Sequence, residues 1–298
     1  MGLTVNSMGK NCAGSESQPI RRKTEERVIA LAGNPNVGKS TVFNALTGLN
    51  QHTGNWPGKT VANACGRFRS RKHDYVLVDL PGTYSLMAHS AEEEVARDFI
   101  CFGRPDAVVV VCDATCLERN LNLALQILEI SDRVLVCVNL VDEAHKKGIE
   151  IDDGELARRL GVPVILTVAR KKRTLRQLAD SLDDVMEAPS GHALRIEYPA
   201  AVEAAITRVE TVIADGPLGG LSSRWLSLKL IDGDASLMHA LREYLGYEIM
   251  EGDVLSAVQD ARAASGLDAD GWKDAVVTGA VRASERICDG VVSGRGAG

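Results

Sequence analysis

Apolar residues in this chain fall into two patterns: short unbroken runs, and longer stretches in which they return every three or four positions. The runs are Val28–Leu31, Val76–Asp79, Ala107–Cys112, Val134–Asn139 and Pro163–Thr167. Runs that are unbroken rather than alternating predict strands covered on both faces. Helical spacing occupies the segments between them, at Ser40–Leu49, Ala91–Cys101, Leu117–Ile130, Asp153–Leu160 and Thr174–Glu187. Apolar strands alternating with helices predict an α/β fold, a mostly parallel sheet with helices on both faces. Near Pro189-Ser190-Gly191 the pattern changes and only helical segments follow: Pro199–Ala214, Ser222–Ile231, Ala235–Leu245, Val254–Ser265 and Trp272–Val292. A small all-α domain is expected there. Residues 1–24 are polar, rich in Gly, Ser and Asn and without periodicity, which predicts a flexible leader. The expected boundaries are 1–24 for the leader, 25–190 for the sheet domain, 191–293 for the helical domain and 294–298 for a tail.

Composition narrows the function classes. Of 298 residues, 45% are hydrophobic and 25% charged, ordinary values for a globular chain, but only 4% are aromatic, so the core must be aliphatic. The net charge of −6 gives no pull toward nucleic acid, and residues 190–298 hold 10 Lys/Arg against 16 Asp/Glu. No segment reaches the ~18–20 apolar residues that cross a bilayer. No apolar core follows Lys10 or Arg21-Arg22-Lys23, so no signal peptide is expected. Seven scattered cysteines inside apolar runs suit a reducing compartment better than a disulfide framework. Cys112 and Cys116 have the spacing of a metal pair but no second ligand pair; a strand end and its following loop account for them.

The chemistry begins at Gly33-Asn34-Pro35-Asn36-Val37-Gly38-Lys39-Ser40, which matches G-x-x-x-x-G-K-[ST] in full between a strand and a helix; Thr41 completes the segment. Glycines let backbone N–H groups turn toward phosphate oxygens, and the positive end of the helix adds to them. Lys39 is expected on the β- and γ-phosphates and Ser40 on Mg²⁺. Asp79-Leu80-Pro81-Gly82 follows a strand 40 residues after Lys39. It offers Asp79 to Mg²⁺ through a water and the Gly82 N–H to the γ-phosphate. Between them, in Gly54-Asn55-Trp56-Pro57-Gly58-Lys59-Thr60-Val61, Thr60 is the expected phosphate-sensing threonine, with Gly58 beside it and Thr53 as the alternative.

A phosphate loop does not distinguish ATP from GTP. Asn139-Leu140-Val141-Asp142 does, because one carboxylate at Asp142 can accept from guanine N1–H and the exocyclic amine together. Adenine would leave it unpaired at a cost of about 1–3 kcal/mol or more. Asn139 is expected to tie this loop to the phosphate loop. Leu140 stands where many GTPases carry lysine, which predicts weaker nucleotide binding and quick GDP release. In Thr167-Val168-Ala169-Arg170, the Ala169 N–H is expected at guanine O6, with Val168 alongside. Thr83 follows Gly82 where many GTPases place a water-orienting glutamine, so intrinsic hydrolysis is expected to be slow. Glu92-Glu93-Glu94 reads as an acidic helix start.

These motifs together resemble the small-GTPase fold, and their finer wording resembles the ferrous iron transport protein B family. The resemblance rests on residues 33–41, Asn-Trp-Pro-Gly-Lys-Thr-Val at 55–61, Asp-Leu-Pro-Gly-Thr-Tyr-Ser-Leu at 79–86, Asp113-Ala114-Thr115 with Leu117–Leu121, and Arg224-Trp225-Leu226 with Lys229-Leu230. It covers roughly residues 27–290. It implies a GTPase that cycles between GTP and GDP with Mg²⁺, followed by a helical spacer that slows GDP loss. It also implies a membrane domain passing Fe²⁺ beyond the present chain, at the cytoplasmic face of a bacterial inner membrane. Small accessory proteins of the same system belong to the implied partners, a homo-oligomer is left open, and no nucleic acid is among them. Asn36 is implied to help bind K⁺, with a polar turn residue as the equal alternative. Lys39, Thr60, Gly82 and Asn36 are thus the expected catalytic group. Two rivals remain: a soluble GTPase of ribosome or tRNA maturation, which usually carries a basic RNA-facing element, and a non-catalytic guanine-nucleotide sensor.

Overall fold

The computed structural model describes residues 26–48, 51–55, 61–87, 90–188 and 193–294. Strands β1 (Glu26–Gly33), β2 (Gln51–Asn55), β3 (Ala62–Arg69), β4 (Asp74–Asp79), β5 (Ala107–Asp113), β6 (Val134–Asn139) and β8 (Val164–Leu166) form one sheet in the order β2-β3-β4-β1-β5-β6-β8. The five strands from β4 to β8 run parallel. At one edge β3 pairs antiparallel with β4, and β2 with β3. The chain fills one side of β1 first and then crosses to the other, so the carboxyl end of β1 is a topological switch point where such sheets bind ligands.

Helices α1 (Lys39–Thr47), α2 (Ala91–Phe102), α3 (Leu117–Leu128), α4 (Val141–Lys146), α5 (Asp153–Leu160) and α6 (Lys172–Glu187) belong to this sheet unit. Their ends follow local chemistry. Ser90 caps α2 by accepting from the Glu93 N–H, and Glu92, Glu93 and Glu94 occupy its first turn, as expected for an acidic helix start. Asp152 caps α5, and Gly161 ends it in the left-handed conformation. The core is aliphatic, with Ile29, Leu31, Val109, Leu135 and Leu178 almost fully buried around Phe43 and Tyr75. Cys112 closes the buried part of β5, and Cys116 lies in the following single turn. Burial pushes the Cys137 thiol up to about 12 and the Cys112 thiol higher still, which makes both inert packing groups. Cys65 is disulfide-bonded, a departure from the expectation of reduced thiols throughout.

The helical unit covers Arg195–Ala283. It contains α7 (Ala200–Ile213), α8 (Ser223–Asp232), α9 (Ala235–Leu245), α10 (Gly252–Ser265) and most of α11 (Ala269–Cys288). Inside it, the Arg224 guanidinium grips both oxygens of Glu203 at 2.8 Å and the Ile196 carbonyl at 2.9 Å. The Arg224 guanidinium holds the Glu203 carboxyl below its ordinary value.

The expectation of helices alone after 190 needs correction. The last helix stops at Cys288, and β9 (Val292–Gly294) pairs antiparallel with β7 (Ile149–Ile151), so residues from Ser284 onward belong to the sheet unit. Arg159 closes that end, its Nη1 donating to the carbonyls of Arg286, Ile287 and Asp289. Among the described residues, no helix is long and apolar enough to cross a membrane.

Candidate nucleotide-binding site

The phosphate loop runs from the end of β1 into α1. Gly38 has φ +83°, a conformation glycine adopts without strain, and it caps α1. A Cβ at Gly38 would also lie 2.5 Å from Asn139 Nδ2, so the glycine is required by the base loop as well as by its own turn. A Cβ at Gly33 would meet the Val111 carbonyl at 2.6 Å. Asn36 also sits in the left-handed region, at φ +67°, and is exposed. Asparagine tolerates that region better than most side chains. Pro35 is half-buried, Val37 is packed in the core, and Ser40 and Thr41 are exposed on the first turn of α1.

Asp79 ends β4 beside this loop, and its carboxylate forms an ion pair with the Lys39 ammonium, both groups being mostly buried. Burial pushes the Asp79 carboxyl above its ordinary value, against the opposing pull of Lys39. The chain after Asp79 lies on the phosphate loop. The Thr83 N–H donates to the Gly33 carbonyl at 3.3 Å, and a Cβ at Gly82 would lie 3.3 Å from Pro35 Cα. Thr83 is buried, and the exposed Tyr84 ring carries the Arg119 guanidinium 4.6 Å from its centroid.

The base loop is knit by Asn139, fully buried at the end of β6. Its Nδ2 donates to the Val37 carbonyl at 3.0 Å; its Oδ1 accepts from the Ala169 N–H at 3.1 Å and the Thr167 hydroxyl at 3.2 Å. One amide therefore joins the phosphate loop, the base loop and the loop after β8. Leu140 takes φ +62°, unusual for a branched side chain, and this turns the chain into α4 with the half-buried Asp142 in its first turn. The Ala169 N–H, expected at a base oxygen, is engaged by Asn139, while the Val168 N–H donates to Thr174 Oγ1 at 3.3 Å. Thr167 carries no role in the sequence reading. A small polar residue closing an apolar run is the available signal for it. Gly58 and Thr60 lie outside the described residues, as does Trp56; Thr53 lies in β2, paired with Ala64.

The structure thus brings together residues 33–41, Asp79, Gly82, Asn139, Asp142, Val168 and Ala169 at the carboxyl ends of β1, β4, β6 and β8. The family model described as ferrous iron transport protein B matches residues 27–182. The chain belongs to that family. A second model, described as the FeoB cytosolic helical domain, matches residues 198–293. The Fe(2+) transporter FeoB of Escherichia coli strain K12 is 40% identical over 210 residues, 69% of this chain and 27% of the relative. The chain thus spans about a quarter of the length of the curated relatives it matches. The cytosolic domain of the T. maritima FeoB iron transporter in its apo form superposes with a TM-score of 0.75 at 31% identity, covering 90% of this chain and 100% of that one. A GDP-bound mutant of the S. thermophilus FeoB G-domain gives 0.74 at 31% identity over 90% of this chain and 100% of that one. The sheet unit is therefore the G domain of a GTPase family, followed by that family's helical domain.

Proposed function

We propose that the chain binds GTP and GDP, hydrolyses GTP, and through its nucleotide state regulates or drives Fe²⁺ uptake by a membrane domain of the same protein. The observation that carries the reading is the Asn139 amide, which locks the loop of Lys39 to the loop of Asp142 so that one ligand can span both. The T. maritima relative has been solved in a GMPPNP form, which supports a guanine nucleotide here. Asp142 accepts from the guanine edge, and its half-buried carboxylate is a hydrogen-bond partner for no described residue. The Ala169 N–H reaches guanine O6 by sharing its bond to Asn139, with Val168 beside it. The backbone of Gly33, Asn34, Pro35, Asn36, Val37, Gly38 and Thr41 surrounds the phosphates, Lys39 exchanging Asp79 for the β- and γ-oxygens.

The Ser40 hydroxyl, next in the chain to the Lys39 that pairs with Asp79, and the Asp79 carboxylate are hard oxygen donors of the kind that suits Mg²⁺, with Thr60 as a third. Bound there, Mg²⁺ would neutralise charge on the transferring phosphoryl group. The Asn36 side chain, exposed on its left-handed turn, suits an oxygen-seeking K⁺, which would supply positive charge in the manner of an arginine finger. Water attacks the γ-phosphorus and GDP leaves, with Lys39 and the Gly82 N–H stabilising the equatorial oxygens. Thr83 cannot orient that water as a glutamine does, so the intrinsic rate is slow and the rise with K⁺ over Na⁺ is the expected sign of Asn36. The cytoplasmic face of an inner membrane is the proposed location, with small accessory proteins and self-association as further partners.

Multiple-turnover phosphate release tests the reading. Release with GTP, none with ATP and a higher rate in K⁺ than in Na⁺ support it. Tight GTP binding without release favours the sensor reading, for which the buried Thr83 speaks. Equal use of ATP sinks the assignment of Asp142.

A further inference from the structure

Asn34 lies in the phosphate loop, 3% exposed as a residue, and neither its Oδ1 nor its Nδ2, both buried, has a hydrogen-bond partner among the described residues. Buried side-chain amides are almost always bonded, because desolvating donor and acceptor without replacing their water is costly. Rotating this amide does not help, since both ends are unmet. An amide kept purely for structure would be bonded as Asn139 is, on three sides.

The surroundings indicate what the amide serves. Of the residues flanking Asn34, Gly33 accepts from the Thr83 N–H, and Pro35 lies against Gly82. The 82–83 segment thus touches the chain on both sides of Asn34. When the Gly82 N–H turns to a γ-phosphate, the peptide groups of 82–83 must leave their present partners, beginning with the 3.3 Å bond to Gly33. Their N–H and carbonyl groups then need new partners in a buried place, and Asn34 offers two donors and an acceptor there.

We infer that Asn34 is a positioning residue: its amide takes up the 82–83 segment in the triphosphate state and holds it where Gly82 faces the γ-phosphate. This rests on the GTPase reading above. It accounts for a buried amide that no described residue meets, and it supplies from the phosphate loop some of the order that a glutamine at position 83 would have supplied from the segment itself.

The test compares the unaltered chain with Asn34→Ala and Asn34→Ser. Single-turnover GTP hydrolysis should fall on the order of tenfold in the alanine variant, with GDP affinity within about twofold of the parent. The nucleotide-free melting temperature should stay level or rise, because an unpaired amide has been removed. The serine variant, which keeps a small donor and acceptor, should lie between. Amide exchange of residues 82–87 with a GTP analogue should be faster in the alanine variant than in the parent, and equal with GDP. Parent-like hydrolysis in the alanine variant overturns the role of Asn34 and leaves the GTPase reading intact. So does a loss of GDP affinity and melting temperature in step with the rate, which marks a structural role. A parent that hydrolyses no GTP overturns both.

Discussion

At the phosphate end of the site, the groups that would meet a ligand hold one another provisionally; at the base end, they are already bonded into the protein. Lys39 and Asp79 form an ion pair that a phosphate and a cation can take apart, and the Asn34 amide has no partner among the described residues. Asn139, by contrast, reaches Val37, Thr167 and Ala169 with one buried amide. The difference teaches where folding energy and ligand energy are kept apart. Asn139 acts as a keystone whose loss is felt with or without nucleotide. Lys39 contributes little to the fold and most of its effect to a bound triphosphate. At the base end Asp142 resembles the phosphate end, since its carboxylate accepts no hydrogen bond from a described residue and interacts with Lys146 through charge alone.

The sharpest way to break this contrast is Lys39→Ala. Single-turnover hydrolysis should drop by a factor on the order of 10²–10³, as on removal of one preorganised charge-stabilising donor. The melting temperature should fall only modestly, because the Asp79 carboxyl left behind is already pushed up by burial and can take a proton, and a large fall would place Lys39 among the folding groups. Asn139→Ala should do the opposite in kind. It strands a buried carbonyl and a buried N–H, and denaturant unfolding of the nucleotide-free chain should show a loss of about 3 kcal/mol. A variant as stable as the parent would remove the keystone role.

Smaller effects refine the comparison. Asp142→Asn should leave stability within about 0.5 kcal/mol while cutting the preference for GDP over ADP by about 1–3 kcal/mol in calorimetry. An unchanged preference would show that another group reads the base. Leu140→Gly relieves a left-handed branched residue and should raise stability by up to about 1 kcal/mol, with nucleotide affinity slightly weaker from the lost apolar contact. A fall in stability would mean that the leucine's packing outweighs its backbone strain.

Much of the sheet unit is legible in the sequence because its central strands are unbroken apolar runs and its motifs sit at their ends. The run Val134–Asn139 bounds β6 to the residue, and Ala107–Cys112 bounds β5 to within one residue at its end. The edge is less legible. β3 carries Asn63, Gly66 and two arginines, and β2 is Gln-His-Thr-Gly-Asn, so neither has the apolar run that marks the others. The short α4 hides behind the Asn139–Asp142 motif, and β7 is only three residues long. A helix expected over 272–292 overruns because Val291 and Val292 continue an apolar spacing that only pairing with β7 redirects.

By itself the amino-acid sequence determined the strand and helix order, the phosphate loop and the two downstream motifs, since each depends on local spacing and residue type. The tertiary structure alone decided which of those groups are committed to the fold and which stay available to a ligand. Pairing of Asn139 with Val37 joins residues 102 positions apart, and β9 returns to β7 across more than a hundred residues. Such contacts arise from packing and from the need of every buried polar group for a partner, neither of which is written in local pattern.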